Sequence, residues 1–315
     1  MASKMPAARD ANNNRITISM AEQGQYQKPL TCEFCETSVG FVNAFTRNVG
    51  DDIVAIDPYF RLSKGHKHSV TCRYNVQGQI TVIAQESEGD IFAALQGNRY
   101  ELRLLAVKRA VEQLREIANK KRNPDSEANA GANEKIYVEA EKRLRAYINS
   151  AQRVLKVRAA CVEHVEIEDV LQLAFDGVRL PWSDFYFEDD EYFRCFSQVT
   201  QATIHVPIAI NGTVKDISIV KGRTGNFSVI NLVRPYRKTD QANVLDAACF
   251  SIWSPDPNAF QAYKKGGEIL AFGLWESRGV KESANKKADA QIKIFRNHEL
   301  RLWPVTKSQL CAVKA

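Results

Sequence analysis

Three cysteines and one histidine near the start of the chain have the spacing of metal ligands. Cys32 and Cys35 form a Cys-x2-Cys pair, and His68 and Cys72 form a His-x3-Cys pair further on. Structural zinc sites draw four nitrogen and sulfur ligands as two close pairs on separate turns. The spacing therefore predicts a structural Zn²⁺ held by these four side chains. His66 is the alternative to His68.

A chance Cys-x2-Cys beside surface histidines is the simplest alternative. Residues 32–72 hold three of the seven cysteines and two of the five histidines, which argues against chance. A redox pair would stand beside a strand–helix–strand pattern, and none flanks it. Four protein ligands would leave a catalytic zinc without an open position. The pattern resembles the short zinc modules at the N-termini of competence-type and mobile-element proteins, and this resemblance implies a structural metal.

Short strand-like segments surround the two ligand pairs. Val39–Phe45, Ile53–Ile56 and Gln79–Ala84 are rich in residues that favour strands. A module of this size has a small core, so a metal would supply much of its folding free energy. We predict a zinc-binding β module at residues 28–86, preceded by a flexible N-terminus at residues 1–27.

A helical pattern follows this module. Apolar residues recur at three- and four-residue spacing over Tyr100–Arg122 and again over Glu134–Val162, which predicts two amphipathic helices. Residues 123–133 between them are small and polar, with Pro124 and Gly131, and are predicted to be a flexible linker. Residues 87–196 are therefore interpreted as a helical middle region.

The last third of the chain is rich in predicted strands. In order, the predicted elements are the strands Thr213–Val220, Asn226–Arg234 and Val244–Trp253, a short helix Asn258–Lys264, the strand Glu268–Trp275, a basic loop Arg278–Lys287 and the strand Ala290–Phe295. Three strands, a helix and two more strands is the order of an OB barrel. The predicted fold class is α+β, with the zinc module, the helical middle and a five-stranded OB-type barrel at residues 197–306, followed by a tail at 307–315.

One segment of this region carries a family resemblance. Residues 259–275, with the sequence AFQAYKKGGEILAFGLW, resemble the short helix, Lys-Gly turn and alternating strand of the bacterial single-stranded DNA-binding protein family. The likeness in element order extends over about 95 residues. It implies an OB barrel that binds single-stranded DNA.

Charge placement favours a polyanionic partner. The chain has a net charge of +6, and residues 198–305 hold 15 Lys+Arg against 9 Asp+Glu, so this region carries the whole excess. Single strands are bound by basic grooves and by aromatic side chains on which bases stack. The candidate contacts are Arg223, Phe227, Arg234, Tyr236, Arg237, Trp253, Phe272, Trp275, Arg278 and Lys286. The alternative is that the aromatics form core, since one face of Glu268–Trp275 must be buried, and that the cations form a solvated face.

These patterns predict a non-enzymatic protein that binds single-stranded DNA or RNA, with DNA favoured. The alternative is an adaptor subunit that binds protein partners in a larger nucleic-acid-processing or defence complex. A metal-dependent nuclease using the acidic residues 188–191 is a remote alternative, because no partner lysine or second carboxylate motif is spaced for it. The sequence has no apolar run long enough for a membrane span and no secretory leader, so we expect a cytoplasmic protein without a membrane partner.

Overall fold

The structure is a computed structural model that describes residues 5–49, 52–69, 72, 74–87, 89–122, 133–161, 165–222, 225–285, 292 and 294–312. It is a mixed α/β structure with several sheets. The chain forms two compact units, each built from two separate stretches of sequence. The first comprises Met1–Leu102 and Arg153–Leu173, and the second comprises Arg103–Gln152 and Ala174–Lys314.

The first unit is built around a sheet of short strands. Its elements before the long helices are β1 (Ala7–Arg9), β2 (Arg15–Thr17), α1 (Ile18–Glu22), β3 (Leu30–Cys32), β4 (Ser38–Val42), β5 (Phe45–Val49), β6 (Asp52–Ile56), β7 (Tyr59–Leu62), α2 (Val76–Glu86), β8 (Phe92–Leu95) and β9 (Arg99–Arg103). Five of these strands form an antiparallel sheet in the order β2-β1-β3-β4-β7, and β5 pairs with β6 as a separate hairpin. The strands predicted at Val39–Phe45 and Ile53–Ile56 correspond to β4 and β6.

The N-terminal residues belong to this sheet. The backbone of Met5 exchanges hydrogen bonds with that of Phe60, and Ala7 and Ala8 in β1 are fully buried. The expectation of a flexible segment over residues 1–27 is therefore corrected for β1, β2 and α1. Its polar, Asn-rich composition concealed the few small apolar residues that pack in the core.

Helix α2 replaces a predicted strand. Residues Gln79–Ala84 lie within it, although their β-branched side chains favour strands. Asn75 caps its N-terminus by accepting a hydrogen bond from the Gly78 N–H, and Val76, Ile80 and Ile83 are buried at helical spacing. The cap and this spacing outweigh strand propensity.

The middle of the chain contains two long helices. The elements are α3 (Leu104–Arg122), α4 (Asn133–Ala159), α5 (Val165–Glu168), β10 (Leu171–Phe175) and β11 (Val178–Leu180). Helices α3 and α4 correspond to the two predicted helices, except that Tyr100–Arg103 lies in β9, which pairs with β8. Residues 123–132 of the predicted linker lie outside the described residues, and Asn133 is the first residue of α4.

The second unit contains the largest sheet. Its remaining elements are β12 (Tyr186–Phe187), α6 (Tyr192–Gln201), β13 (Ile208–Lys221), β14 (Asn226–Leu232), β15 (Tyr236–Lys238), β16 (Val244–Ser254), β17 (Glu268–Gly273), β18 (Trp275–Ala284), β19 (Ile294–Leu302) and β20 (Leu310–Ala312). The strand order is β18-β19-β16-β14-β13-β17-β20, with β12 against β13 and β15 against β16. Strands β16 and β19 are parallel, as are β12 and β13.

Four of the five predicted strands of this region correspond to β13, β14, β16 and β17. Of the fifth, only Ile294 and Phe295 belong to β19, which extends to Leu302, and residues 290, 291 and 293 lie outside the described residues. Three neighbouring predictions are corrected. Residues 258–264 form turns rather than a helix, and Phe260 is buried there. Most of the predicted basic loop belongs to β18, whose largely exposed residues lack apolar alternation. The predicted tail contains β20, in which Leu310 and Cys311 are buried against β17.

The core of the second unit lies between its sheet and α6. The Tyr192 ring stacks on the Phe250 ring with centroids 4.3 Å apart, and Ile230, Ile252 and Leu300 belong to the same cluster. None of the helices in the described part of the chain combines the length and the apolar character that crossing a bilayer demands.

Candidate metal centre and candidate nucleic-acid interface

The four predicted metal ligands come together in the first unit. Cys32 ends β3, Cys35 lies in the turn that follows, and His68 and Cys72 precede α2. The ligand atoms of the four side chains all lie within 4.8 Å of one another. His66, the alternative ligand, is exposed and lies outside this group.

The distances between the ligand atoms fit a tetrahedral ion. The Sγ atoms of Cys32 and Cys72 are 3.7 Å apart, and His68 Nδ1 lies 3.3 Å from the Sγ atoms of both Cys35 and Cys72. Tetrahedral zinc, with Zn–S and Zn–N bonds of usual length, separates two sulfurs by about 3.8 Å and a sulfur from a nitrogen by about 3.5 Å. The four side chains can therefore hold such an ion with little movement, with His68 bound through Nδ1.

Without a metal, burial keeps these side chains uncharged. Burial raises the pKa of the Cys72 thiol to about 12 and also raises the pKa of the Cys32 thiol. Burial lowers the pKa of His68, which keeps its imidazole neutral and able to bind a metal. Backbone N–H groups of Phe34 and Tyr74 donate to the Sγ atoms of Cys32 and Cys72, at 3.5 and 3.4 Å. These donors stabilise thiolates, which form when a metal displaces the thiol protons.

Glu33 fastens the turn that carries Cys35 to the surrounding strands. Its carboxylate accepts from Arg15 Nε at 3.0 Å and from the Tyr74 hydroxyl at 2.8 Å, and its carbonyl accepts from Arg9 Nε at 3.3 Å. Arg9 and Arg15 lie on β1 and β2, so the N-terminal strands support the metal-binding turn. Sequence reasoning missed Glu33 and Tyr74, because nothing in their spacing marks them as partners.

The second unit carries three aromatic rings together on one face of its sheet. Phe227 on β14, Trp253 on β16 and Trp303 after β19 are half-buried, with ring centroids 5.6–6.3 Å apart. The guanidinium of Arg301 lies over the Trp253 ring, 4.4 Å from its centroid. We call these four residues the aromatic cluster.

The strand register places this cluster on the outer face of the sheet. Val229 lies opposite Trp253, and Ser251 lies beside Arg301. The intervening residues of β14, β16 and β19, which point the other way, are in the core. Phe227 and Trp253 were predicted contacts, whereas Trp303 and Arg301 were missed. Both lie beyond the predicted end of the last strand at Phe295, although the alternation of Arg301, Leu302 and Trp303 continues that strand.

Two other predicted aromatic contacts are buried. Phe272 is 1% exposed and Trp275 is 3% exposed, so neither ring can stack on a base at the surface. Phe272 lies on β17 and Trp275 begins β18, and both faces of the chain are covered there. Tyr236 is exposed on β15, beside the ring of Phe295.

Arg237 is committed to a structural ion pair. Its Nη2 lies 3.3 Å from Asp246 Oδ2, and its guanidinium lies over the ring of Phe193 on α6. Arg296 Nε lies 2.7 Å from the other carboxylate oxygen of Asp246, and His298 lies 3.3 Å from that oxygen. Burial raises the pKa of Asp246, but hydrogen bonds from Arg296, His298 and Arg237 outweigh burial and lower it overall. The predicted phosphate contact at Arg237 is thus already paired within the protein, with a carboxylate that it shares with Arg296.

The remaining predicted cations are dispersed. Arg278 is exposed on β18, and Arg234 is half-buried after β14. Arg223 and Lys286 lie outside the described residues. Lys281 on β18, which was not among the predicted contacts, donates to the Glu299 carboxylate at 2.6 Å.

The acidic stretch 188–191 forms a short 3-10 turn directly before α6. The backbone N–H of Glu188 donates to the Glu191 carboxylate, and Glu191 pairs with Arg194 on α6 at 2.6 Å. Burial and the neighbouring Asp190 raise the pKa of Asp189. These residues are not among the metal-ligand groups found in the described part of the chain.

No protein-family model and no curated protein matches the chain. The resemblance to single-stranded DNA-binding proteins and to zinc modules of competence-type and mobile-element proteins therefore stays a prediction.

Proposed function

We propose that this chain is a non-enzymatic protein that binds single-stranded nucleic acid through its second unit, with DNA favoured over RNA. The observation that carries the proposal is the aromatic cluster, in which three rings and the Arg301 guanidinium lie together on an outer sheet face. Bases stack on such rings at about 1–3 kcal/mol each. A duplex hides the faces of its bases, so this chemistry favours a single strand.

The pairing of the strands supports an OB-type barrel. Strand β13 pairs with β14 and β17, β14 pairs with β16, β16 pairs with β19, and β19 pairs with β18. Only Leu274 separates β17 from β18, so we infer that they act as one bent strand. That strand would join the two sides of the sheet and close the five-stranded barrel.

The aromatic cluster then lies where OB barrels bind oligonucleotides. In that fold the ligand crosses the second and third strands, which correspond here to β14 and β16. Phe227 and Trp253 are on these two strands.

We propose Zn²⁺ as the ion of the first unit. Three thiolates and one imidazole in a tetrahedral arrangement are the donors that structural zinc prefers. Four protein ligands close the coordination sphere, so the ion would stabilise the fold without taking part in a reaction. Cys32, Cys35, His68 and Cys72 would hold it.

An adaptor function is supported by a different surface. The β13–β14 hairpin exposes two apolar side chains on the face opposite to Phe227: Ile219 is 63% exposed and Ile217 is 37% exposed. Exposed apolar side chains in one place favour contact with a protein partner. Partner binding at this hairpin is compatible with nucleic-acid binding at the aromatic cluster.

Fluorescence anisotropy with a labelled mixed-sequence oligonucleotide tests the main proposal on the full-length protein. We expect single strands to bind more tightly than the matching duplex, and affinity to fall as salt rises. Trp253→Ala should weaken binding about 5- to 150-fold, the equivalent of losing about 1–3 kcal/mol of stacking, with little change in the salt slope.

Phe175→Ala is the matched control for Trp253→Ala. Phe175 is a half-buried ring of the second unit with a lysine, Lys108, near its face, but it lies outside the aromatic cluster. Its loss should leave affinity unchanged. If the folded protein binds no oligonucleotide at low salt, the adaptor function takes precedence.

A further inference from the structure

Glu299 places a negative charge next to the aromatic cluster. It lies on β19 beside Cys249 of β16, two residues before Arg301, and therefore on the same outer face. Its side chain is 23% exposed. A carboxylate at this position opposes the binding of a polyanion.

Two cations hold the Glu299 carboxylate. Lys281 Nζ lies 2.6 Å from Glu299 Oε2, and Arg301 Nη2 lies 3.8 Å from the same oxygen. The Lys281 side chain is 52% exposed. The Arg301 side chain is 25% exposed, and its guanidinium contacts the Trp253 ring. One carboxylate oxygen thus lies between an ammonium and a guanidinium, which is the arrangement that a phosphate oxygen adopts with such donors.

We propose that Glu299 occupies the place of a nucleic-acid phosphate in the free protein, and that the phosphate of a bound single strand displaces it from Lys281 and Arg301. This inference rests on the proposed function of the same face. Glu299 is then a residue that sets affinity and selectivity: it neutralises part of the cationic site until a ligand with several phosphates and stackable bases replaces it.

The exchange has a defined electrostatic consequence. With Glu299 in place, a phosphate that reaches Lys281 and Arg301 must separate an existing ion pair, so part of its attraction is offset. Removal of the carboxylate charge leaves both cations available. For a single strand, each further phosphate that is neutralised makes the slope of log affinity against log salt concentration steeper by about 0.7. At about 0.1 M salt one such contact corresponds to roughly five-fold in affinity.

Glu299→Gln in the full-length protein tests this inference. The glutamine has the size of the glutamate and lacks its charge. We expect it to bind the labelled single strand roughly 3- to 10-fold more tightly at 0.1 M salt, with a salt slope steeper by about 0.7. A merely structural role for Glu299 would lower stability and leave the salt slope unchanged.

Asp184→Asn is the matched control. The Asp184 carboxylate pairs with Arg194 on α6 at 3.4 Å, and this substitution changes the net charge by the same amount away from the outer sheet face. Its salt slope should equal that of the wild-type protein.

The outcomes separate the two proposals. If the wild-type protein binds and Glu299→Gln binds with the same slope and affinity, or more weakly, the displacement proposal is overturned and the binding function stands. If only Glu299→Gln binds, a single strand does not displace Glu299 from the wild-type protein, and the displacement proposal is overturned. If neither folded protein binds a single strand at low salt, both proposals fail.

Discussion

Three of the four ligands of the candidate metal centre are held by local contacts. The Cys32 and Cys72 sulfurs accept backbone hydrogen bonds, and the His68 ring packs near Tyr74, with centroids 5.8 Å apart. These contacts preorganise the side chains before an ion arrives. Loss of one ligand would therefore leave three in place but break the closed tetrahedral sphere on which tight binding depends.

Cys72→Ser should remove most of the bound metal. We expect about one Zn²⁺ per chain in the wild-type protein and far less in the variant, because serine is a poor zinc ligand at neutral pH. Metal analysis of freshly purified protein measures this. Cys249→Ser, a change at a cysteine of the second unit, is the control and should keep the metal. Wild-type protein that carries no metal would contradict the assignment.

Single residues also show what a sequence can and cannot indicate. The metal ligands were predictable because their chemical types are uncommon and their spacing is dictated by coordination geometry. The aromatics were not equally readable: Trp253 lies on the surface and Trp275 lies in the core, yet both stand in alternating strands. Which face is buried depends on what covers each strand, and this is decided by residues far away in the sequence.

At the scale of elements, the bend between β17 and β18 depends on Gly273. Its φ of +149° lies in a region that other residues rarely adopt, and a Cβ there would come within 2.5 Å of Gln309 Nε2. Gln309 is fully buried, and its Nε2 donates to the Phe272 carbonyl at 3.0 Å. The glycine therefore allows both the bend and the hydrogen bond that holds it.

Gly273→Ala should destabilise the second unit by about 3 kcal/mol, since it combines backbone strain with a clash against a buried side chain. The melting temperature should fall by roughly 6–12 °C, as measured by circular dichroism. Gly279→Ala is the control. Gly279 has a φ of +75° but open space around its Cβ position, so we expect backbone strain of only about 1–2 kcal/mol. Equal melting temperatures for the two variants would disprove the role of Gln309.

Elements were predictable where local signals agree with packing. Helices α3 and α4 and most strands of the second unit follow their apolar periodicity. Strand β18 was missed because its exposed residues carry no such pattern, although its partner β19 supplies the backbone hydrogen bonds. Strand β20 was missed because a three-residue strand is stabilised by the edge it joins and not by its own sequence.

At the scale of the whole molecule, the two candidate sites belong to different compact units. The four metal ligands are all in the first unit, and the aromatic cluster, Lys281 and Glu299 are all in the second. Effects at separate sites without shared partners are usually additive. The proposed structural metal and the proposed binding of nucleic acid should therefore be separable.

Metal removal should leave oligonucleotide binding largely intact. Chelation of the ion is expected to unfold part of the first unit, which circular dichroism would detect, because metal binding and folding of such modules are linked. The affinity for a single strand should change by less than about two-fold. A loss of more than ten-fold that zinc restores would show that the first unit also contributes to binding.

The interleaving of the two units has a consequence during synthesis on the ribosome. The first unit lacks its stretch Arg153–Leu173 until Leu173 has been made, and by then Arg103–Gln152 has been made without the rest of its own unit. The ribosome must still add the roughly 140 residues of Ala174–Lys314, which takes about 7–28 s at the usual rate of translation. During that interval the apolar faces of α3 and α4 have no completed core in the second unit, so this stretch of the nascent chain is the part most in need of a chaperone.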